Sequence, residues 1–151
     1  SVIVGLGGTS VIGGNGSTGG NSSFGAYITA PGGTGGNAAV SGSPTNSLVS
    51  DKANTADCSG TNVLINIPGQ GAFGQMSFSS SANTNNQVRG GKGGSSFLGQ
   101  GGGASTLSTL HYSGSGYGAG GAGAVTVYAQ GTSAVIGGNG TNGIVIVEEY
   151  A

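Results

Sequence analysis

Glycine recurs at every third residue in several separate blocks of this chain. The first block is GGN GST GGN at 13–21, and the others are GGT GGN from 32, GGK GGS from 90 and GGN GTN G at 137–143. A period of three fits neither an α-helix, with 3.6 residues per turn, nor a β-strand, with a period of two. It fits the left-handed polyproline-II spiral, which has about three residues per turn.

Such a spiral makes no hydrogen bonds within itself, so its backbone N–H and C=O groups need partners on neighbouring segments. Glycine at every third position removes the Cβ atoms from the contact row and lets backbones approach closely. Asn, Ser and Thr at the other positions are expected to point outward or to cap neighbouring segments. Collagen is excluded because the triplets are interrupted and the chain has only three prolines.

Short apolar runs separate the glycine blocks and are rich in β-branched residues. They predict strands at 2–6, 24–30, 63–67, 124–128 and 144–147. No window keeps the apolar spacing of a helix without a glycine interrupting it. The sequence therefore predicts a single domain over 1–151 of the all-β, irregular class, with short β-strands beside a bundle of polyglycine-II spirals and essentially no α-helix.

Charge is scarce in this chain. It has three Lys and Arg residues against four Asp and Glu residues, too few cations for nucleic-acid binding by counterion release. No apolar run is long enough for a membrane span, so we expect no membrane insertion. Cys58 is the only cysteine and cannot form a disulfide within the chain; it is interpreted as a reduced thiol in a polar loop, with an interchain or reactive thiol as the alternative.

Enzyme signals are weak. Two glycine patterns, starting at Gly14 and Gly118, match the dinucleotide fingerprint G-x-G-x-x-G, but neither is followed by a predicted helix that could present its N-terminus to a pyrophosphate. A lone His111 offers no metal site within one chain, although three copies could share one on a three-fold axis. Glu148 and Glu149 are adjacent and fall on opposite faces of a strand. We expect no catalytic residues, no metal and no cofactor.

Binding is better supported by the polar segments 41–60, 75–89 and 104–113, which are predicted to be loops. They are rich in Ser, Thr and Asn, and they contain the rings of Phe78, His111 and Tyr112. Exposed rings among such residues can stack on sugars or fill a pocket on a protein. The alternative is that these rings pack back onto the scaffold.

Five stretches together resemble a known family. They are NSSFGAYITAPGGTGG at 21–36, INIPGQGA at 65–72, GGKGGSSFLGQGGG at 90–103, GYGAGGAGA at 116–124 and the ending GGNGTNGIVIVEEYA at 137–151. In content and order they resemble the glycine-rich C-terminal domain of tailed-bacteriophage tail-fibre and receptor-binding proteins. The closing GIVIVEEY is the most specific part, and 41–62 and 76–88 resemble the family least.

The resemblance implies a non-enzymatic host-recognition tip at the distal end of a virion tail fibre. Such a tip binds a bacterial surface receptor, either a glycan or an outer-membrane protein, through loops on a rigid glycine scaffold. It also implies a C-terminal fragment of a longer fibre protein that is a homotrimer or is attached to a trimeric fibre. The residues expected to bind the receptor are Phe78, Asn83, Asn85, Asn86, Leu110, His111 and Tyr112.

Two other functions fit the same residues. The chain could be a structural subunit of a self-assembling filament, joined through the apolar ends 1–6 and 144–151. It could also be an ice-binding protein with regular polar rows, which the interrupted triplets and long polar segments disfavour.

Overall fold

The computed structural model describes residues 1–41, 47–48, 57–61, 63–78, 87–104, 112–127 and 135–150. Within these ranges there is no helix, and short strands interrupt a largely irregular backbone, which confirms the coarse fold class. The strands are β1 (Val2–Ile3), β2 (Ser22–Phe24), β3 (Ile28–Ala30), β4 (Ala39–Ser41), β5 (Ser47–Leu48), β6 (Ser59–Gly60), β7 (Met76–Phe78), β8 (Gln87–Arg89), β9 (Gly99–Gln100), β10 (Ser115–Gly116) and β11 (Val125–Val127).

The strands gather into small sheets at two ends of the molecule. At one end, β1-β2-β3-β6 forms an antiparallel sheet beside the β9–β10 pair. At the other end, the antiparallel sheet β5-β7-β8 packs against the parallel pair β4–β11. We call these the β1–β3 end and the β4–β11 end.

A tight turn joins β2 to β3. The Phe24 carbonyl accepts a hydrogen bond from the Tyr27 N–H at 3.1 Å, which closes a β-turn. Gly25 occupies the second position of this turn with φ of 54°, a value that glycine adopts without the steric cost of a Cβ. The rings of Phe24 and Tyr27 face each other at 6.1 Å between centroids.

Nine glycine-rich segments of the described chain lie between the two ends. They run between the strands without belonging to any sheet, and we number them g1 to g9: 5–10, 16–21, 32–37, 68–73, 90–95, 101–103, 112–114, 118–124 and 137–143.

Hydrogen bonds from g2 alternate between two neighbours with a period of three residues. The N–H groups of Gly16 and Gly19 donate to carbonyls of g3 at 3.0 and 2.9 Å. Those of Ser17 and Gly20 donate to carbonyls of g1 at 3.0 and 2.8 Å. Residues three apart therefore turn to the same neighbour, whereas residues two apart would do so in a strand.

The same period appears in g9 at the other side of g1. The N–H groups of Gly138 and Thr141 donate to g8, and those of Gly140 and Gly143 donate to g1. Segment g1 thus lies between g2 and g9 and accepts hydrogen bonds from both. The glycine-rich segments are held together by backbone groups that point in several directions around each segment.

Close approach of backbones accounts for glycine in the contact rows. A Cβ atom added at Gly32 would lie less than 3.0 Å from the carbonyl oxygen of Gly19, a separation that real Cβ atoms essentially never show. At the adjacent Gly33 an added Cβ would have no heavy atom within 4 Å. Two neighbouring glycines in g3 therefore face very different surroundings.

This contrast predicts opposite outcomes for two single-methyl variants. We expect Gly32→Ala to lower the free energy of unfolding by about 3 kcal/mol, because g2 and g3 must separate to admit the methyl group. Gly33→Ala should change it by less than about 1 kcal/mol, since the methyl group enters open space. Urea unfolding of both variants measures the difference, and equal midpoints would contradict the close packing of g2 on g3.

Asparagine side chains cap backbone donors of neighbouring segments, as the sequence predicts. The Oδ1 atoms of Asn139 and Asn142 accept hydrogen bonds from the N–H groups of Ser10 and Gly7, at 2.8 and 2.9 Å. Asn21 accepts from the Gly32 N–H in the same way. These exposed side chains join g9 to g1 and g2 to g3 where no carbonyl is in reach.

We expect Asn139→Ala to lower the free energy of unfolding by about 1 kcal/mol, because the Ser10 N–H loses its acceptor. Asn139→Asp keeps an acceptor oxygen at this position and should retain most of the stability. Thr18→Ala is a matched control, since the exposed Thr18 forms no hydrogen bond to another described residue. Thermal unfolding that ranks all three variants equally would contradict the capping role.

The apolar core of the described residues is small and consists mostly of alanine. Ala39, Val88 and Val125 pack together in a buried apolar cluster at the β4–β11 end. Ala119, Ala122 and Ala124 are buried within or beside g8. Many larger apolar side chains are instead exposed, including Leu6, Leu64, Ile65, Phe97, Ile146 and Tyr150.

Several strand predictions differ from the structure. The runs 63–67 and 144–147 are extended but belong to no sheet, and Leu64 is 94% exposed. Conversely, the predicted loop 75–89 contains β7 and β8. β-Branched residues favour a strand only where a partner edge is available, and neither run has such a partner among the described residues.

Candidate functional site

The β4–β11 end presents strand termini side by side. In the parallel pair, Ser41 lies opposite Val127, and both are the last residues of their strands. In the neighbouring sheet, Phe78 ends β7 and pairs with Gln87, which begins β8. Because β4 contacts β7 and β8, and β11 contacts β8, all four termini lie at this end of the molecule.

Most of these termini are also positions where a described range of the chain ends or begins. Described ranges end at Ser41, Phe78 and Val127, and others begin at Ser47 and Gln87. The bundle of glycine-rich segments lies on the other side of the same strands, since β4 follows g3, β8 precedes g5 and β11 follows g8. Phe78 and Gln87, which flank the predicted contact residues Asn83, Asn85 and Asn86 in the sequence, thus lie at one end of the bundle.

Most of the predicted contact residues lie outside the described residues. This holds for Asn83, Asn85, Asn86, Leu110 and His111. The two that are described are Phe78, at the terminus of β7, and Tyr112, at the start of g7.

Tyr112 is anchored to the bundle by its backbone and partly by its ring. Its carbonyl oxygen accepts a hydrogen bond from the Ala122 N–H at 3.0 Å, three residues before β11 begins. Its ring lies against Gly103, where an added Cβ would be 3.6 Å from Cγ. The side chain is nonetheless 39% exposed, so part of the ring packs on the scaffold and part of it faces outward.

A channel that the sequence analysis did not predict runs lengthwise through the bundle. It has a volume of about 370 Å³, within the range of sites that hold small ligands. Glycine-rich residues of g1, g2, g3, g4, g8 and g9 line it. No local pattern could have found it, because it forms only when the segments are assembled.

Toward the β1–β3 end the channel is lined by exposed apolar side chains, which we call its apolar rim. Its rim contains Leu6, Ile67, Phe97, Leu98 and Ile144, which line the channel and are all partly or largely exposed. Cys58 also lines this region and is half-buried with a free thiol. The Cys58 N–H donates to Oδ1 of Asn66 at 3.4 Å, and Nδ2 of Asn66 donates to Asp57 at 2.7 Å.

The sites that the sequence disfavoured have no supporting geometry in the described part of the chain. The glycine pattern from Gly118 leads into β11, and the pattern from Gly14 leads into β2, so neither meets the N-terminus of a helix. Among the described residues, no three His, Cys, Asp or Glu side chains lie close enough together to hold a metal ion. Lys92 places its Nζ atom 5.6 Å from the centre of the Phe73 ring, a cation–π contact on the surface.

Comparison with known proteins gives no match to this chain: no protein-family model, no curated protein and no solved structure is significantly similar. Within the described ranges, no helix has the length and apolar character that crossing a membrane requires.

Proposed function

We propose that segments g1 to g9 are polyglycine-II spirals. The support is the period of three in the hydrogen bonds of g2 and g9, where successive N–H groups turn to different neighbours. A second support is that these segments belong to no sheet and no helix. A bundle of such spirals is rigid because nearly every segment is tied to more than one neighbour.

Backbone torsion angles measured in solution test this assignment. The polyglycine-II spiral has φ near about −75°, whereas an antiparallel strand has φ near about −140°. Three-bond couplings between amide and α protons should therefore be smaller at Leu6, Thr18 and Ala122 than at Ser23 and Thr29. Equal couplings at the two sets would contradict the spiral assignment.

We propose that this domain is the host-recognition tip of a bacteriophage tail fibre and acts by binding. The observation that carries the proposal is the resemblance of its glycine blocks, in content and order, to the C-terminal domain of those fibres. The architecture is compatible with that role: the strand ends at Ser41, Phe78 and Gln87, which belong to the polar segments 41–60 and 75–89, lie together at the β4–β11 end. Loops held at one end of a rigid scaffold are well placed to contact a surface.

The composition of the polar segments suits binding rather than turnover. They are rich in Ser, Thr and Asn and nearly free of charge, so they can hydrogen-bond to a glycan or to an outer-membrane protein loop. Several tips on one virion would raise the effective affinity by multivalency. On this proposal the domain is part of a trimeric fibre and lies at its distal end.

Binding of the purified, labelled domain to a panel of Gram-negative cells tests the proposal. We expect binding to at least one strain and a loss of at least tenfold in a Phe78, His111 and Tyr112 triple-alanine variant. Aromatic side chains such as Tyr are enriched among the residues that dominate binding energy at interfaces. Circular dichroism of each variant checks that the fold is kept.

A matched control places the same change at the opposite end. Tyr27, Phe97 and Tyr117 are exposed rings at the β1–β3 end, and their triple-alanine variant should bind cells as the parent does. A parent that binds no strain in the panel contradicts the recognition role. Equal losses in the two triple variants contradict the assignment of the contact surface.

A second candidate, a self-assembling filament subunit, is favoured by one observation. Strand β1 is the edge of its sheet, and its Val2 and Ile3 side chains are 52% and 55% exposed. An open apolar edge can pair with another chain. Growth of filaments by the purified domain, in place of binding to cells, would support this candidate over recognition.

A further inference from the structure

Several backbone groups that line the channel have no hydrogen-bond partner among the described residues. Gly121 is buried and lines the channel, yet neither its N–H nor its C=O forms a hydrogen bond with another described residue. Thr34, Gly35 and Gly69 line the same channel and are also without such bonds. Buried backbone groups are nearly always paired, so a ligand that supplies donors and acceptors would be stabilised here.

The shape of the wall restricts what that ligand can be. Gly33 lines the channel, and an added Cβ there would meet no atom within 4 Å. The channel is therefore open beside g3 while g3 is tightly packed against g2 on its other side. A slender chain can lie along this wall, parallel to the segments that surround it.

The unpaired groups match an extended peptide in particular. The carbonyl oxygens of Gly33 and Gly36 accept hydrogen bonds from g2, but their N–H groups have no acceptor among the described residues. Thr34 and Gly35, which lie between these two glycines in the chain, form no backbone hydrogen bond to another described residue. A peptide backbone offers one carbonyl acceptor and one N–H donor per residue, as the wall formed by g3 itself does.

We propose that the channel binds an extended glycine-rich segment of a partner polypeptide. Glycine is required where the segment touches the wall, because the channel is bounded by backbone. The apolar rim formed by Leu6, Ile67, Phe97, Leu98 and Ile144 binds apolar residues that flank the inserted glycines. This site goes beyond receptor recognition, since its apolar rim lies toward the β1–β3 end and it serves attachment of the domain to another chain.

The probe for this site is a synthetic peptide, VIGGNGSTGGN, which copies residues 11–21 and has an apolar flank before its glycines. We expect calorimetry to detect its binding to the purified domain. The peptide VIVGNVSTVGN, with valine at three of its glycines spaced by three residues, should bind at least tenfold more weakly. Valine side chains cannot lie against a wall of backbone.

Two variants of the domain locate the binding site. Gly33→Phe places a ring in the open channel and should reduce peptide affinity at least tenfold while the unfolding midpoint is kept. Thr18→Phe is the matched control: Thr18 is exposed on g2 but does not line the channel, and peptide affinity should be unchanged. Bound peptide should also slow alkylation of Cys58, the single thiol of the chain, which lines the channel.

Three results would overturn the proposal. They are no binding of the glycine peptide, equal binding of the valine peptide, and equal affinity in Gly33→Phe and the parent. The first result would mean that water molecules alone form hydrogen bonds with the backbone groups that line the channel. None of these measurements involves cells, so their failure is distinguishable from a failure of host recognition.

Discussion

The fold depends on the missing Cβ atoms along the rows where glycine-rich segments touch. At Gly35 an added Cβ would overlap the backbone of g2, at Gly93 that of g8, and at Gly121 that of g9. A single methyl group at any of these positions would separate two segments and break the hydrogen bonds on both sides of it. Packing in this protein is therefore packing of backbone on backbone, with side chains directed away from the contact or used as caps.

This arrangement shifts stability from apolar burial to hydrogen bonding. Val125 is the largest side chain that is fully buried among the described residues, and burying one valine contributes only about 1.5–3 kcal/mol. Each backbone hydrogen bond contributes about 0.5–1.5 kcal/mol net, but such bonds link nearly every glycine-rich segment to two or more neighbours. The exposed apolar side chains at the β1–β3 end are then available for contacts with other chains, including the rim of the channel.

The period of three was readable from the sequence because it is a local pattern, and the asparagine caps followed from it. Which segment lies beside which was not readable, because glycine has no side chain that could specify a partner. Strands of two or three residues, such as β5 and β9, are too short to leave an alternating pattern. The run 63–67 is apolar and rich in β-branched residues, but it has no partner edge among the described residues. The channel is a property of the assembled segments, and five of the seven predicted contact residues lie outside the described residues.

Amide hydrogen exchange, resolved residue by residue, tests most directly whether backbone hydrogen bonds with a period of three hold the bundle together. In g2 we expect slow exchange at Ser17, Gly19 and Gly20, whose N–H groups are bonded to neighbouring segments, and fast exchange at Thr18, which has no acceptor among the described residues. In g9 the fast position should be Asn142. Protection at every second residue would indicate ordinary strands, and uniformly fast exchange would mean that the bundle does not form; either result would contradict this account.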